Sequence, residues 1–340
     1  MKKILLIIIG LTSGIIITEV FLRTPFYQIN YQKSEGWWKW YWHTQRTNNS
    51  PTHLPEIYEF DPLLGWIPKK DTKAQLVDGT KVTINSEGFR APDNYINQRK
   101  KNRIIAIGDS YTFGECADDE ETYSYYLEKI SEDTEVFNMG VHGYGLDQEY
   151  LKLKRALKYQ PDMVIVGFYS DDVERVKYGF IDYQKPKFAF VGGKLTQVNQ
   201  PLTDPKKYAG QFHLILSDIL SMIYDKYYVN QEKVRSETNK IAMALLNEMQ
   251  TAVVESGATM MLVNIPSYKE LTSAGEANNP VYLSYCRKNS NLCLDPSEAI
   301  NRYLQSQANP STFFHCHYAK EIHQIIAGEI KKKRTELKKS

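Results

Sequence analysis

Net charge, metal-type cysteine spacing, repeats and biased tracts are all scarce or missing in this chain. Lysine and arginine total 42 against 40 acidic residues, a formal net of +2 over 340 residues. No global field therefore favours nucleic acid as a partner. None of the four cysteines forms a Cys-x-x-Cys pair, which excludes the usual zinc and thioredoxin-like spacings. No internal repeat is found, which excludes solenoids and propellers. The length suits one large domain with attachments, or two small ones.

A cleavage signal is missing too. Ile4 to Leu22 is nearly all apolar, broken only by Gly, Thr, Ser and Glu19. That is about the length needed to cross a bilayer core. A signal peptide would end in a small-x-small site, and Arg23-Thr-Pro-Phe-Tyr27 offers none. The expectation is a retained single-span anchor over residues 1–23. Glu19 is costly in lipid, but it lies near the far end, one helical turn from Arg23. Lys2 and Lys3 argue for an inside amino terminus, a bias that Arg23, Lys33 and Lys39 partly cancel. Gly36-Trp-Trp-Lys-Trp-Tyr-Trp42 suits either the headgroup region or packing on the domain, and both stay open.

What the chain does have is a stretch around which the rest is organised, Arg103-Ile-Ile-Ala-Ile-Gly-Asp-Ser-Tyr-Thr-Phe-Gly114. Ile104 to Ile107 reads as a buried strand. It stops at Gly108-Asp109-Ser110, and a helix is expected from about Glu120. Open α/β sheets place ligands just past the carboxyl ends of strands, and a serine there is a nucleophile if a base reaches it. Gly-Asp-Ser is also an ordinary turn composition.

Further strands are expected at Thr134–Asn138, Met163–Phe168 and Thr259–Ile265. Helices are expected at Gln148–Leu157, Phe212–Tyr228, Glu237–Ser256, Leu294–Gln305 and Glu321–Lys332. Phe60–Trp66 and Lys81–Ile84 look like a short turn and strand. This alternation argues for a parallel sheet covered by helices on both faces. Lys187 to Val198 reads as a hairpin turning at Gly192-Gly193. The basic run Gln98–Arg103 and the Lys-rich end are expected to be solvated. Cys286 and Cys293, separated by a short polar stretch, are expected to bridge in an oxidising compartment.

Three later blocks accompany the serine: Val136-Phe-Asn-Met-Gly-Val-His-Gly-Tyr-Gly145, Asp162-Met-Val-Ile-Val-Gly-Phe-Tyr-Ser-Asp-Asp172 and His315-Cys-His-Tyr-Ala-Lys-Glu-Ile-His323. In this order the four blocks resemble the SGNH (GDSL-type) hydrolase family. The resemblance covers about residues 58 to 330, including Asn85-Ser-Glu-Gly-Phe-Arg90, found in many membrane-anchored members. It implies a three-layer α/β/α, flavodoxin-like sandwich with a central parallel sheet, behind an N-terminal transmembrane helix. The implied layout is an anchor at 1–23, an extension at 24–100, a hydrolase-like domain at 101–332 with an insertion at about 173–230, and a basic tail at 333–340. Similar anchored members expose the domain outside the cytoplasm, so a periplasmic side is expected.

The resemblance also implies roles. Ser110 matches the nucleophile, and its N–H an oxyanion donor. Gly143 matches the second donor, because a backbone N–H without a side chain approaches the substrate oxygen closely. Asp171 stands where the family has an asparagine donor; an ionised carboxylate donates nothing, so it serves only if protonated. Asp109, Asp172 and His315 are expected in support. His317 matches the base. The acid that orients it is missing: His315 and Phe314 occupy its positions, and no acid occurs from Ser311 to Lys320. A backbone carbonyl or an acid from elsewhere would have to substitute. His323 matches a further family histidine, more often structural. Cys116 and Cys316 would flank this site, as a bridge or as free thiols. No cofactor is needed, and no metal set is read, since His315 and His317 lack further local ligands. The expected function is an esterase or acyltransferase acting on acylated small molecules or glycans. The rival, favoured by Asp171 and His315, is a degenerate binding or assembly protein.

Overall fold

The computed structural model describes residues 2–24, 57–76, 79–91, 102–181, 183–203, 214–272, 279–314 and 316–338. Helix α1 (Lys2–Leu22) is followed by two antiparallel ribbons, β1 (Tyr58–Asp61) with β2 (Gly65–Pro68), and β3 (Thr72–Gln75) with β4 (Lys81–Ile84). Then come β5 (Asn102–Ile107), α2 (Ser110–Phe113), α3 (Tyr123–Ile130), β6 (Thr134–Asn138), α4 (Leu146–Ala156), β7 (Met163–Phe168) and α5 (Ser170–Arg175). The insertion holds β8 (Phe180–Ile181), β9 (Tyr183–Gln184), β10 (Phe188–Val191), β11 (Lys194–Gln197) and α6 (Ile215–Tyr228). The chain closes with α7 (Gln231–Glu255), β12 (Thr259–Asn264), α8 (Tyr268–Thr272), α9 (Pro280–Lys288), β13 (Cys293–Leu294), α10 (Ser297–Gln305) and α11 (Lys320–Leu337).

Five strands form one sheet in the order β13-β12-β7-β5-β6, and every neighbour pair is parallel. This is the flavodoxin-like order, with its switch point between β5 and β7. Ile104–Ile107 of β5, all of β7 and Met260–Val263 of β12 are apolar runs, as a sheet covered on both faces requires, whereas β6 keeps Thr134, Glu135 and Asn138. Alternate residues serve opposite cores. Ile105, Ile107, Val164, Val166 and Leu262 face α4, α7 and α9. Ile104, Ala106, Ile165, Met261 and Val263 face α3, α10 and α11.

The expected strands and the Gly192-Gly193 hairpin are in place; both turn glycines have positive φ, 57° and 80°, as a two-residue hairpin turn requires. Several expected boundaries move. Helix α7 begins at Gln231 because the Asn230 side chain caps it, accepting from Lys233 N. Leu294 belongs to a strand beside Val263, so α10 starts at Ser297. Helix α11 runs to Leu337, so most of the expected basic tail is helical; Arg334 is buried there and donates to Thr134. Arg103 is not solvated but buried on Glu135. Cys286 and Cys293 are bridged, as expected. The Trp-rich segment 36–42, residues 98–101 and His315 lie outside the described residues.

The described part of the extension, residues 57–76 and 79–91, packs into the core of the sheet. Ile57, Leu64, Trp66, Val82 and Phe89 lie in the same core as β5 and β7, and Arg90 pairs with Asn138 at the end of β6.

Candidate active site

Gly108, Gly140 and Gly167 make room for the turn after β5. A Cβ on Gly140 would collide with the backbone of Thr112 and Phe113, and one on Gly108 or Gly167 with the Thr112 hydroxyl. Three strand ends therefore press on α2, and no side chain fits between them. Asp109 caps α2 by accepting from Tyr111 N at 2.9 Å. Its other oxygen lies 3.4 Å from Ser110 Oγ. Ser110 is the first residue of this helix and is 3% exposed.

The loop that follows is braced from the extension. Arg90, itself buried, donates to the carbonyls of Phe113, Gly114 and Ala117 and pairs with Asp119. Gly114 takes a left-handed conformation at φ 87°. That turn brings Glu115 N back to Ser110 O at 3.0 Å.

His317 reaches this turn from the loop before α11. Its Nε2 lies 2.8 Å from Ser110 Oγ and 3.5 Å from Glu115 Oε2. Its Nδ1 faces Cys316 Sγ at 3.5 Å. Tyr111 packs on the ring at 4.5 Å. Cys316 is joined to Cys116, so the bridge rather than free thiols is present. Cys116, Cys316 and His317 cluster within 4.8 Å, but each sulfur is already bonded to the other.

Glu115 sits between two histidines, with His142 Nδ1 at 2.7 Å from the same Oε2. Burial pushes its carboxyl up, but the charge and hydrogen bond of His142, then His317 and Arg90, bring it down to about 2. Burial lowers the His317 pKa, against the raising effect of Glu115 and Asp109. His142 directly precedes Gly143, whose φ is 70°; a Cβ there would meet only the Trp66 ring at 3.6 Å. The glycine therefore answers to the backbone conformation rather than to crowding.

Arg175 ties the third block to the first. Its Nη1 donates to Asp109 at 3.0 Å, Asp172 at 2.7 Å and Tyr144 O at 2.8 Å. Asp172 is fully buried and also accepts from Tyr169 N. Burial, with Asp109 and Glu149 nearby, raises its carboxyl well above the usual range. Asp171 is on the exposed side of α5. Partial burial of its carboxyl, with Asp109 and Glu270, raises its pKa despite Arg175. His323 is buried; its Nδ1 accepts from Tyr123 N at 3.2 Å and caps α3. Burial pushes it down to about 3, so it stays neutral and structural.

Ser110, Asp109 and His317 are thus brought together, and Asp172 joins them through Arg175. Glu115, His142, Arg175 and the glycines Gly140 and Gly167 were not singled out from the sequence. Glu115, five residues past the serine, carries no local signal, because its placement depends on the left-handed Gly114.

No family model matches the chain, and no curated protein does. Among solved structures, the chain is similar to a lipolytic protein of the G-D-S-L family from Desulfitobacterium hafniense DCB-2. The identity is 14%, the match covers 68% of this chain and 99% of that one, and the TM-score is 0.41. It is also similar to the psychrotrophic esterase EstA from Pseudoalteromonas sp., at 12% identity, 71% and 100% coverage and a TM-score of 0.41. A third is the acetyl xylan esterase AlAXEase, at 14% identity, 68% and 98% coverage and a TM-score of 0.40. At this distance the reading of function rests on the site's own geometry.

Proposed function

We propose that this chain is a membrane-anchored serine esterase of the SGNH (GDSL-type) kind. The observation that carries the reading is the 2.8 Å contact between His317 Nε2 and Ser110 Oγ, made by residues 207 apart in sequence. A nucleophile at a strand end with a base in hydrogen-bond reach is the arrangement acyl transfer needs. Ser110 Oγ bonds to the acyl carbon while its proton moves to His317 Nε2. The ester C–O bond then breaks, and His317 returns the proton to the departing alkoxide. Water repeats the sequence to free the serine, and an acceptor alcohol in place of water gives acyl transfer. The backbone N–H groups of Ser110 and Gly143 are assigned to the oxyanion. Acyl groups on glycans or small molecules are the assigned substrates.

A retained anchor is supported by Glu19. Its carboxylate accepts from Ile215 N and Leu216 N at 3.0 Å each and pairs with Arg23. The apolar helix thus caps a helix of the domain, and cleavage would remove that cap. We place the domain on the periplasmic side.

A fluorophosphonate probe tests the assignment. Labelling of the full-length protein that vanishes in Ser110→Ala, together with loss of aryl-ester turnover, is the expected result. A protein that neither labels at Ser110 nor shows turnover dependent on it would be the binding protein that Asp171 suggests.

A further inference from the structure

Among the described residues, no carboxylate meets the Nδ1 of His317. No acid occurs from Ser311 to Lys320, and the ring nitrogen turned away from the serine meets a disulfide sulfur. We infer that Glu115 is the positioning acid of this site, stabilising the His317 imidazolium from the serine side of the ring. The inference rests on the esterase reading above.

The geometry sets out what Glu115 can do. When Ser110 attacks, its proton passes to Nε2 and the ring becomes positive. That N–H then has two acceptors, Ser110 Oγ at 2.8 Å and Glu115 Oε2 at 3.5 Å. The longer contact does not hold the proton away from the serine, yet it puts a negative charge beside the new positive one. In a part-buried site such a charge acts more strongly than on an open surface. The proton remains free to move on to the leaving alkoxide, because Glu115 is already committed to His142 at 2.7 Å. Asp109 is the other nearby acid, but its carboxylate is engaged by Arg175 and by Tyr111 N.

Two features hold Glu115 and His317 in register. Arg90 fixes the carbonyls on both sides of the Glu115 loop. The Cys116–Cys316 bridge joins the residue after Glu115 to the residue before His317. Acid and base are therefore linked covalently through their immediate neighbours. A carboxylate within the last block would need no such link. The groups facing His317 are Glu115, Asp109, His142, Arg175 and the Tyr111 ring. Those facing Glu115 are His142, His317 and Arg90.

The test is Glu115→Gln in the full-length protein, assayed on an aryl ester. It keeps the shape and a hydrogen bond to His142 and removes the charge. The expected result is a kcat about 10- to 100-fold lower, reaching only the low end of what acid–base catalysis contributes, with KM little changed. The carboxylate favours the protonated ring, so its loss lowers the His317 pKa and moves the acid limb of kcat/KM to lower pH. Glu115→Asp should restore part of the shift. His142→Gln keeps the carboxylate and should leave the limb in place or move it upward. An unmoved limb in Glu115→Gln, or a downward shift in both Gln variants, overturns the inference.

A 13C-labelled histidine titration, assigned with His317→Gln, reads the same coupling without substrate. A His317 pKa that does not fall in Glu115→Gln refutes the role of Glu115. Absence of Ser110-dependent turnover, by contrast, refutes the esterase reading itself.

Discussion

Removing the two disulfides separately should have very different consequences. Cys116 and Cys316 are 200 residues apart in sequence, whereas Cys286 and Cys293 are 7 apart. In the chain-entropy account, the first bridge restricts the unfolded chain by about 5 kcal/mol and the second by about 2.5 kcal/mol. Cys116→Ser with Cys316→Ser should therefore lower the urea midpoint clearly more than Cys286→Ser with Cys293→Ser. Both are compared with the oxidised parent in the same detergent. Function should separate them further. Cys316 adjoins His317, and its partner adjoins Glu115, so the first pair fixes the base and its acid. Turnover should fall in that variant under conditions where it is still folded, and stay near the parent level in the other. The reasoning fails if the short-loop variant loses as much stability as the long-loop one, or if turnover survives loss of the Cys116–Cys316 bridge at full folding.

The Asp171 carboxyl is raised by partial burial, with Asp109 and Glu270 near it. Below its pKa it is a neutral acid able to donate, and above it a charge that opposes the oxyanion. Asp171→Asn should thus change aryl-ester turnover little at low pH, and the gain should grow with rising pH towards about a hundredfold; no gain at any pH would show that Asp171 lies away from the oxyanion. For the anchor, the full chain should stay with membranes through alkaline carbonate extraction. Glu19→Ala removes the cap on Ile215 and Leu216, a change typically worth about 1 kcal/mol, and should expose the segment around α6 to limited proteolysis sooner; an unchanged cleavage pattern would count against the capping role.

Much of the fold was legible because its strands are buried on both faces. Ile104–Ile107 and Met163–Phe168 are uninterrupted apolar runs, Thr134–Asn138 is shorter and more polar, and the ends of all three fall within a residue or two of the observed ones. Helix ends were harder. The start of α7 depends on one asparagine cap, and the end of α11 on a buried arginine, Arg334, inside a lysine-rich run. Strand β13 has only two residues, too few to show a period. In the site, Ser110 and His317 stood out because each sits in a local pattern. Glu115 and Arg175 did not, since their partners are distant in sequence and only the folded chain supplies them.

Asn85 to Arg90 shows how a segment outside the catalytic blocks enters the site. From sequence it was only a mark of resemblance. In the structure the Asn85 side chain accepts from Glu87 N and Phe89 N, folding a tight turn that aims the next residue inward. Arg90 then lies under the loop after the nucleophile, satisfying three of its carbonyls, with its guanidinium 4.7 Å from the Phe113 ring centroid. Burial lowers its pKa, and Asp119 offsets that effect. A buried cation held this way is costly unless its partners stay in place. It therefore fixes the loop that carries Glu115 and Cys116, and through the disulfide the loop that carries His317. The described part of the extension and the sheet then act as one unit: the β3–β4 ribbon and its turn position Glu115, the sheet positions Ser110, and the Cys116–Cys316 bridge keeps His317 between them.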